Sequence, residues 1–201
     1  MLLSFKETQN ILKKYKIPYA KSGIVKNKKE LLSFAKNIGY PLALKISDVL
    51  HKTDVSGVIL DIRDKKELIG EYKKISKISK EIIVQQMIKG EMIIMGAKMD
   101  PVFGPIILFG LGGIFVEILK DVSFRLAPIT STEAREMIKE IKGYPILKGA
   151  RGREVINTKN LEEMLVNLSD LIAKENIKEI DLNPVIINSK QTIVVDAKIL
   201  K

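Results

Sequence analysis

Apolar positions recur at helical spacing through the first third of the chain and at alternate positions through much of the remainder. Ser4 and Glu7 form the S-x-x-E pattern of a capped helix start. Ile11, Leu12 and Tyr15 follow on one face, which predicts an amphipathic helix ended by Pro18. A short strand is predicted near Tyr19 to Val25. Asn27 and Glu30 repeat the capping logic for a helix over Lys28–Ile38, closed by Gly39. Pro41–Ile46 and Val58–Ile62 read as strands around a polar segment, and Asp64 caps a third helix running to about Ile78.

From Glu81 the period drops toward two. Strands are predicted over Glu81–Ile88, Met92–Lys98, Pro105–Phe109, Ile114–Ile118 and Val122–Pro128, with Leu111-Gly112-Gly113 as a glycine turn. Thr130 or Ser131 caps a helix to about Ile141, and Asn160 opens another over Leu161–Lys174. Strands over Glu179–Ile187 and Thr192–Leu200 complete the pattern. The balance shifts near Ile88, which predicts two small α+β lobes, 1–87 and 88–201. They are joined by Gln85–Gly90, with the cleft between them as the expected ligand site.

Composition narrows the chemistry. A hydrophobic fraction of 46% over 201 residues supports a real core and argues against disorder. The absence of cysteine excludes disulfides, zinc–thiolate sites and thiol catalysis. The net charge of +10 is spread through predicted helices, and only 5% of residues are aromatic, so no stacking platform for nucleic acid is present. The longest apolar run, around Pro105 to Leu119, is broken by Gly110, Gly112, Gly113 and Glu117 and is too short to span a bilayer. Met1-Leu2-Leu3 leads directly into a charged amphipathic segment rather than a signal peptide. The expectation is a soluble cytoplasmic protein with neither a membrane nor a nucleic-acid partner.

Three stretches carry candidate chemistry. In EIDLNPVIINSKQTIVVDAKI, Asp181 and Asn183 are two residues apart and share a strand face, while Ile180 and Leu182 point to the core. A two-residue turn at Ser189-Lys190 would set Asn183 across from Asp196; a turn at Asn188-Ser189 would oppose Asp181 and Asp196 instead. Either register gathers three hard oxygen donors on one surface, which suits Mg²⁺; the competing reading is a solvated hairpin face. Lys45 stands in an apolar strand, either snorkelling to an edge or held to pair with phosphate oxygens. Glu91 could orient that lysine or bind a ribose hydroxyl, or be an ordinary strand-start carboxylate. His51, the one histidine, sits in a loop, either solvent-exposed or a nucleophile that accepts a phosphoryl group. Arg125, Arg151 and Arg153 add possible phosphate or partner contacts.

These stretches occur in a known order. IGYPLALKI, HKTDVSGV, GPIILFGLGGIFVEILKDVSFRLAP, LKGARG and EIDLNPVI with DAKI resemble the ATP-grasp β subunit of the NDP-forming acyl-CoA synthetases, the ADP-forming acetate–CoA ligases. More distantly the chain is similar to the β subunit of succinyl-CoA synthetase. The resemblance spans essentially the whole chain and implies an ATP-grasp fold with the nucleotide held between its two lobes. It implies that Lys45 contacts nucleotide phosphates, that Gln85 to Ile88 (Gln86, Met87 and Ile88 foremost) receive adenine, and that Glu91 lies beside lysine and ribose. Asn183 and Asp196, with Asp181 at the preceding acidic position, match the Mg²⁺ ligands. His51 matches a histidine proposed to relay phosphate. Glu117 aligns with an acid of unassigned role. Ser56 replaces a usual glycine, and the hinge is shorter than the common form.

The implied activity is phosphoryl transfer between ATP or ADP and His51. A separate α subunit with CoA-binding and ligase domains, in an α2β2 assembly, would couple it to acyl-CoA formation or cleavage. Two readings compete. One is an ATP-grasp carboxylate ligase working through an acyl-phosphate. The other is a non-enzymatic nucleotide or RNA binder using the positive charge.

Overall fold

The computed structural model describes residues 1–47, 57–113, 116, 118–152 and 154–201. Two compact units divide the chain: residues 20–88 form one, and residues 1–19 with 89–201 form the other.

The smaller unit is a four-stranded antiparallel sheet covered on one face by two helices. Its strands are β1 (Ser22–Val25), β2 (Leu42–Ile46), β3 (Val58–Ile62) and β4 (Ile82–Gln86), in the order β1-β4-β2-β3. Helices α2 (Lys28–Ile38) and α3 (Lys65–Ile75) start where Asn27 and Asp64 accept the N–H groups of Glu30 (3.0 Å) and Glu67 (2.8 Å). Leu31, Ala35, Leu68 and Ile75 from the helices close over Leu42, Leu44, Ile46, Ile82 and Val84 from the strands. Each fully buried Leu or Ile contributes roughly 1.5–3 kcal/mol relative to exposure. α3 stops three residues before the predicted Ile78, which falls in a turn.

The larger unit is a six-stranded antiparallel sheet. It contains β5 (Glu91–Asp100), β6 (Gly104–Leu111), β7 (Val122–Leu126), β8 (Glu179–Ile187), β9 (Thr192–Val194) and β10 (Ala197–Leu200). The order is β10-β8-β5-β6-β7, with β9 alongside β8. One face packs against α1 (Phe5–Lys14), α4 (Ser131–Glu140) and α6 (Thr158–Lys174), in a core that includes Ile93, Met95, Phe109, Met137, Leu165 and Leu182. A short helix, α5 (Tyr144–Leu147), and a 3₁₀ turn over Ala150–Gly152 were not anticipated by the hydrophobic pattern, which cannot register elements of one turn.

Four expectations are corrected. Residues 1–19, read as part of a lobe ending at 87, belong with the larger unit: Leu3 N–H donates to Ile199 O (2.9 Å) and Val194 N–H to Pro18 O (2.9 Å). Lys14 Nζ and Tyr15 OH both reach Glu175, at 2.6 and 2.9 Å. Tertiary pairing overrides chain order here. The strand predicted at Ile114–Ile118 does not form at its described positions. Gly113 (φ 63°) turns the chain, Val116 N–H donates to Gly113 O, and Ile118 and Leu119 form an exposed turn. Asn157, not Asn160, caps α6, accepting the Lys159 N–H (3.1 Å). The last strand splits in two because Pro184 on its partner has no N–H to donate; the Val195 and Asp196 N–H groups converge instead on the Pro184 carbonyl.

Candidate functional site

In the smaller unit β2 is an inner strand, flanked by β4 and β3. Leu42, Leu44 and Ile46 point into the helix-covered core, so Ala43 and Lys45 occupy the opposite face. Lys45 lies opposite Ile83 on β4 and Val58 on β3, and is only 6% exposed. A lysine that merely snorkels would sit at an edge with its ammonium in water; this one is on an inner strand and covered. Gln85, 1% exposed and paired in register with Ala43, shares that face. β3 carries a bulge at Asp61 (φ 59°), between its pairings Ile59–Leu44 and Ile62–Leu42, and the Asp61 carboxylate accepts a hydrogen bond from Arg63.

The predicted adenine-contacting segment follows β4 directly. Gln86 N–H donates to Lys21 O (2.8 Å) and Met87 N–H to Pro41 O (3.2 Å), so the backbone is tied down as it leaves the sheet. Gln86, Met87 and Ile88 are half-buried. In the larger unit, Gly90 packs so closely on β8 that a Cβ there would meet the Ile187 carbonyl oxygen at 2.3 Å. Glu91 opens β5 opposite Ile187, and Asn188 Nδ2 donates to Lys89 O (2.8 Å). The residues on either side of the unit boundary are thus each anchored within their own unit.

The β8–β9–β10 ladder adopts the first of the two registers considered from the sequence. Asn188 N–H donates to Gln191 O (3.0 Å) around a Ser189-Lys190 turn, and Val185 pairs Val194. Asn183 N–H donates to Asp196 O (3.1 Å), setting Asn183 across from Asp196. Two positions on, Asp181 pairs with Lys198 on β10 and with Gly96 on β5. Asp181, Asn183 and Asp196 therefore share the face turned away from the helices. Asp181 and Asn183 are exposed, and Asp196 is half-buried. Desolvation pushes the Asp181 carboxyl above the ordinary aspartate range; Lys198 opposes that shift, and the Asp196 and Glu179 carboxylates add to it.

Among the described residues no three His, Cys, Asp or Glu side chains enclose a metal position. Two carboxylates and an amide on an open surface are half a coordination shell. That fits an ion such as Mg²⁺, which keeps waters and arrives with phosphate, and does not fit zinc.

Some of this was legible and unread. Lys198 stands two residues after Asp196, so the alternation that placed Asp196 also places Lys198 on its face. Gly96, which leaves the space beside Asp181 open, carried no signal until the β5–β8 pairing was known. Asp121 is buried and accepts the N–H groups of Lys142 and Gly143, each at 2.7 Å, bracing the chain where α4 leads into α5. Arg125, a suggested phosphate contact, pairs with Glu140 at 2.8 Å. His51, Ser56, Glu117, Arg153 and the Arg151 side chain lie outside the described residues.

Residues 1–200 match the family model of the ATP-grasp domain. The β subunit of acetate–CoA ligase (ADP-forming) I from Pyrococcus furiosus is 41% identical, over 96% of this chain and 89% of its own. Acetate–CoA ligase (ADP-forming) II of Archaeoglobus fulgidus is 38% identical over 100% of this chain, which corresponds to 30% of that longer protein. A structure of Ca. Korarchaeum cryptofilum dinucleotide-forming acetyl-coenzyme A synthetase 1, in complex with coenzyme A, Ca-AMPCP and HgCl⁺, superposes with a TM-score of 0.93. It is 37% identical and covers 99% of this chain and 93% of that one. A second structure of that enzyme holds coenzyme A and Mg-AMPPCP, with its phosphohistidine segment pointing towards the nucleotide binding site. It superposes with a TM-score of 0.86 at 37% identity, over 98% of this chain and 91% of that one.

Proposed function

The chain belongs to the ATP-grasp family, among the β subunits of the ADP-forming acetate–CoA ligases, and from that premise we propose that it is the nucleotide-binding subunit of an ADP-forming acyl-CoA synthetase. The observation that carries the reading is the register that sets Asn183 across from Asp196, with Asp181 on the same exposed face. An open set of hard oxygen donors supports a Mg-nucleotide site over a non-enzymatic RNA binder, which would have no use for one. Bound there, Mg²⁺ would offset the negative charge of the phosphates.

In this reading Lys45 holds phosphate oxygens by charge-assisted hydrogen bonds. Gln86, Met87 and Ile88 line the adenine position, and Glu91 orients the lysine or a ribose hydroxyl. His51 is the carrier. Its neutral imidazole nitrogen forms a P–N bond to the γ-phosphoryl group as the bond to the bridging oxygen breaks and ADP departs. An α subunit takes the phosphoryl group onward, in an α2β2 assembly. The net reaction is acid, CoA and ATP giving acyl-CoA, ADP and phosphate, and its reverse.

The test is phosphoryl labelling with γ-labelled ATP. His51→Ala should leave no acid-labile phosphohistidine on this subunit while Mg-ATP affinity stays within about twofold, since uniform binding and transfer are separable. Labelling that persists in the variant rules out the relay. Labelled acyl-phosphate formed without any phosphoenzyme would favour a carboxylate ligase in which His51 is incidental.

A further inference from the structure

The face of the six-stranded sheet turned away from the helices changes character from one edge to the other. On β8 and β10 it presents Glu179, Asp181, Asn183 and Lys198. On β6 and β7 it presents a block of large apolar side chains: Leu108 opposite Phe124, and Ile106 opposite Leu126. Phe124 is 53% exposed and Leu126 57%, and at the tip of the β5–β6 hairpin Val102 and Phe103 are 79% and 66% exposed.

The edge strand β7 is turned inside out. Its residues on the helix side are polar: Ser123, opposite Phe109, donates its hydroxyl to Met137 O (3.0 Å), and Arg125, opposite Ile107, pairs with Glu140. Its apolar residues, Val122, Phe124 and Leu126, face away from the core. Edge strands ordinarily carry charge on the open face to block association, and contiguous exposed apolar side chains mark a surface that another body covers.

We propose that this face is the docking surface for an α subunit whose own apolar patch is rimmed by carboxylates; the proposal rests on the β-subunit reading above. Charge argues against a second copy of this chain as the occupant. Lys98 lies directly beside Ile106 in the ladder, exposed Lys120 precedes β7, and the chain carries a net charge of +10. Two copies would bring like rims together, whereas an acid-rimmed partner complements them. Position argues the same way. The row Phe124, Leu108, Gly96, Asp181 crosses the sheet without interruption. Three strand spacings, roughly 14 Å, therefore separate the apolar block from the candidate metal residues on one face. A partner seated there stands beside the site whose phosphoryl group it must receive. In the Archaeoglobus ligase the matching stretch makes up 30% of a longer protein.

The test combines Phe124→Glu with Leu126→Glu and measures binding to the purified α subunit by calorimetry, alongside thermal unfolding and Mg-ATP affinity. The expected result is at least a ~100-fold loss of α affinity, as for removal of central apolar anchors, with unfolding and Mg-ATP binding unchanged. Wild-type affinity for α in a folded variant overturns the proposal. Loss of self-association with α binding intact overturns it in favour of a second copy. A fall in Mg-ATP affinity alone overturns it in favour of the chain's own smaller unit as occupant. Should the double variant unfold, Val102→Ser with Phe103→Ser at the hairpin tip replaces it, with a loss of about tenfold expected. A wild-type chain that binds Mg-ATP and α while both variants retain α defeats the docking surface only; one that binds neither defeats the functional reading itself.

Discussion

The two sheets hold their candidate residues in opposite ways. Each is covered by helices on one face and carries its candidate site residues on the other. In the four-stranded sheet Lys45 is on an inner strand and almost wholly covered, with Ile83 and Val58 as its ladder neighbours. In the six-stranded sheet Asp181 and Asn183 stand exposed, beside the bare Gly96. A covered ammonium fixed by two neighbouring strands suits a permanent contact, because desolvation strengthens its interaction with an anion. An open set of oxygen donors suits an exchangeable ion that arrives hydrated with its nucleotide. The contrast in burial accompanies the contrast between cation and oxygen donors, and together they separate the roles proposed for the two sites.

Substituting each site should break the comparison unequally. Lys45→Met removes the buried charge while keeping most of its volume, and is expected to lower turnover with the α subunit by about 10²–10³-fold, the scale for losing one preorganised donor to a reacting phosphate. Equilibrium unfolding of the same variant should keep a single cooperative transition. Full activity in Lys45→Met would show that burial, not phosphate, accounts for that lysine.

Asn183→Ala is expected to weaken Mg²⁺-dependent nucleotide binding by about 10–100-fold, measured as the shift of the Mg²⁺ titration midpoint at fixed ATP. Its melting temperature should not move, since an exposed side chain packs against little. A stability loss without a shift in the Mg²⁺ midpoint would assign Asn183 to the hairpin rather than to the ion.

The smallest effect concerns the attachment of residues 1–19. Hydrogen bonds from Lys14 and Tyr15 hold the Glu175 carboxyl below the ordinary glutamate range. A carboxylate whose folded-state pKa is depressed contributes stability above its unfolded pKa and loses it as pH falls through the folded value. Glu175→Gln should therefore lower the melting temperature by about 1–3 °C at pH 7, with the difference from wild type shrinking as the pH falls below the ordinary glutamate range and through the depressed folded-state value. A pH-independent difference would point to packing at the end of α6 instead of charge.

Local structure was largely readable. Ser4 with Glu7, Asn27 with Glu30 and Asp64 with Glu67 cap the helices as their side chains dictate, and alternation in EIDLNPVII put Asp181 and Asn183 on the outer face. Failures arose where distant backbone intervened. Pro184 split a strand thirteen residues downstream, counting to Ala197, by withholding an N–H from its partner. The Leu3 and Pro18 contacts drew the first helix out of the lobe to which chain order assigned it.

The sequence by itself determined which residues point in and which point out, because side-chain periodicity is local to each element. It also confined Asn183 and Asp196 to one face by narrowing the hairpin to two registers. Only the tertiary structure chose between those registers, placed Lys45 on an inner strand, seated Gly96 beside Asp181 and revealed β7 as a strand with its apolar side outward. Those outcomes depend on which strands become neighbours, and strand neighbours are selected by the packing of whole sheets against helices, a free energy that no single stretch of residues contains.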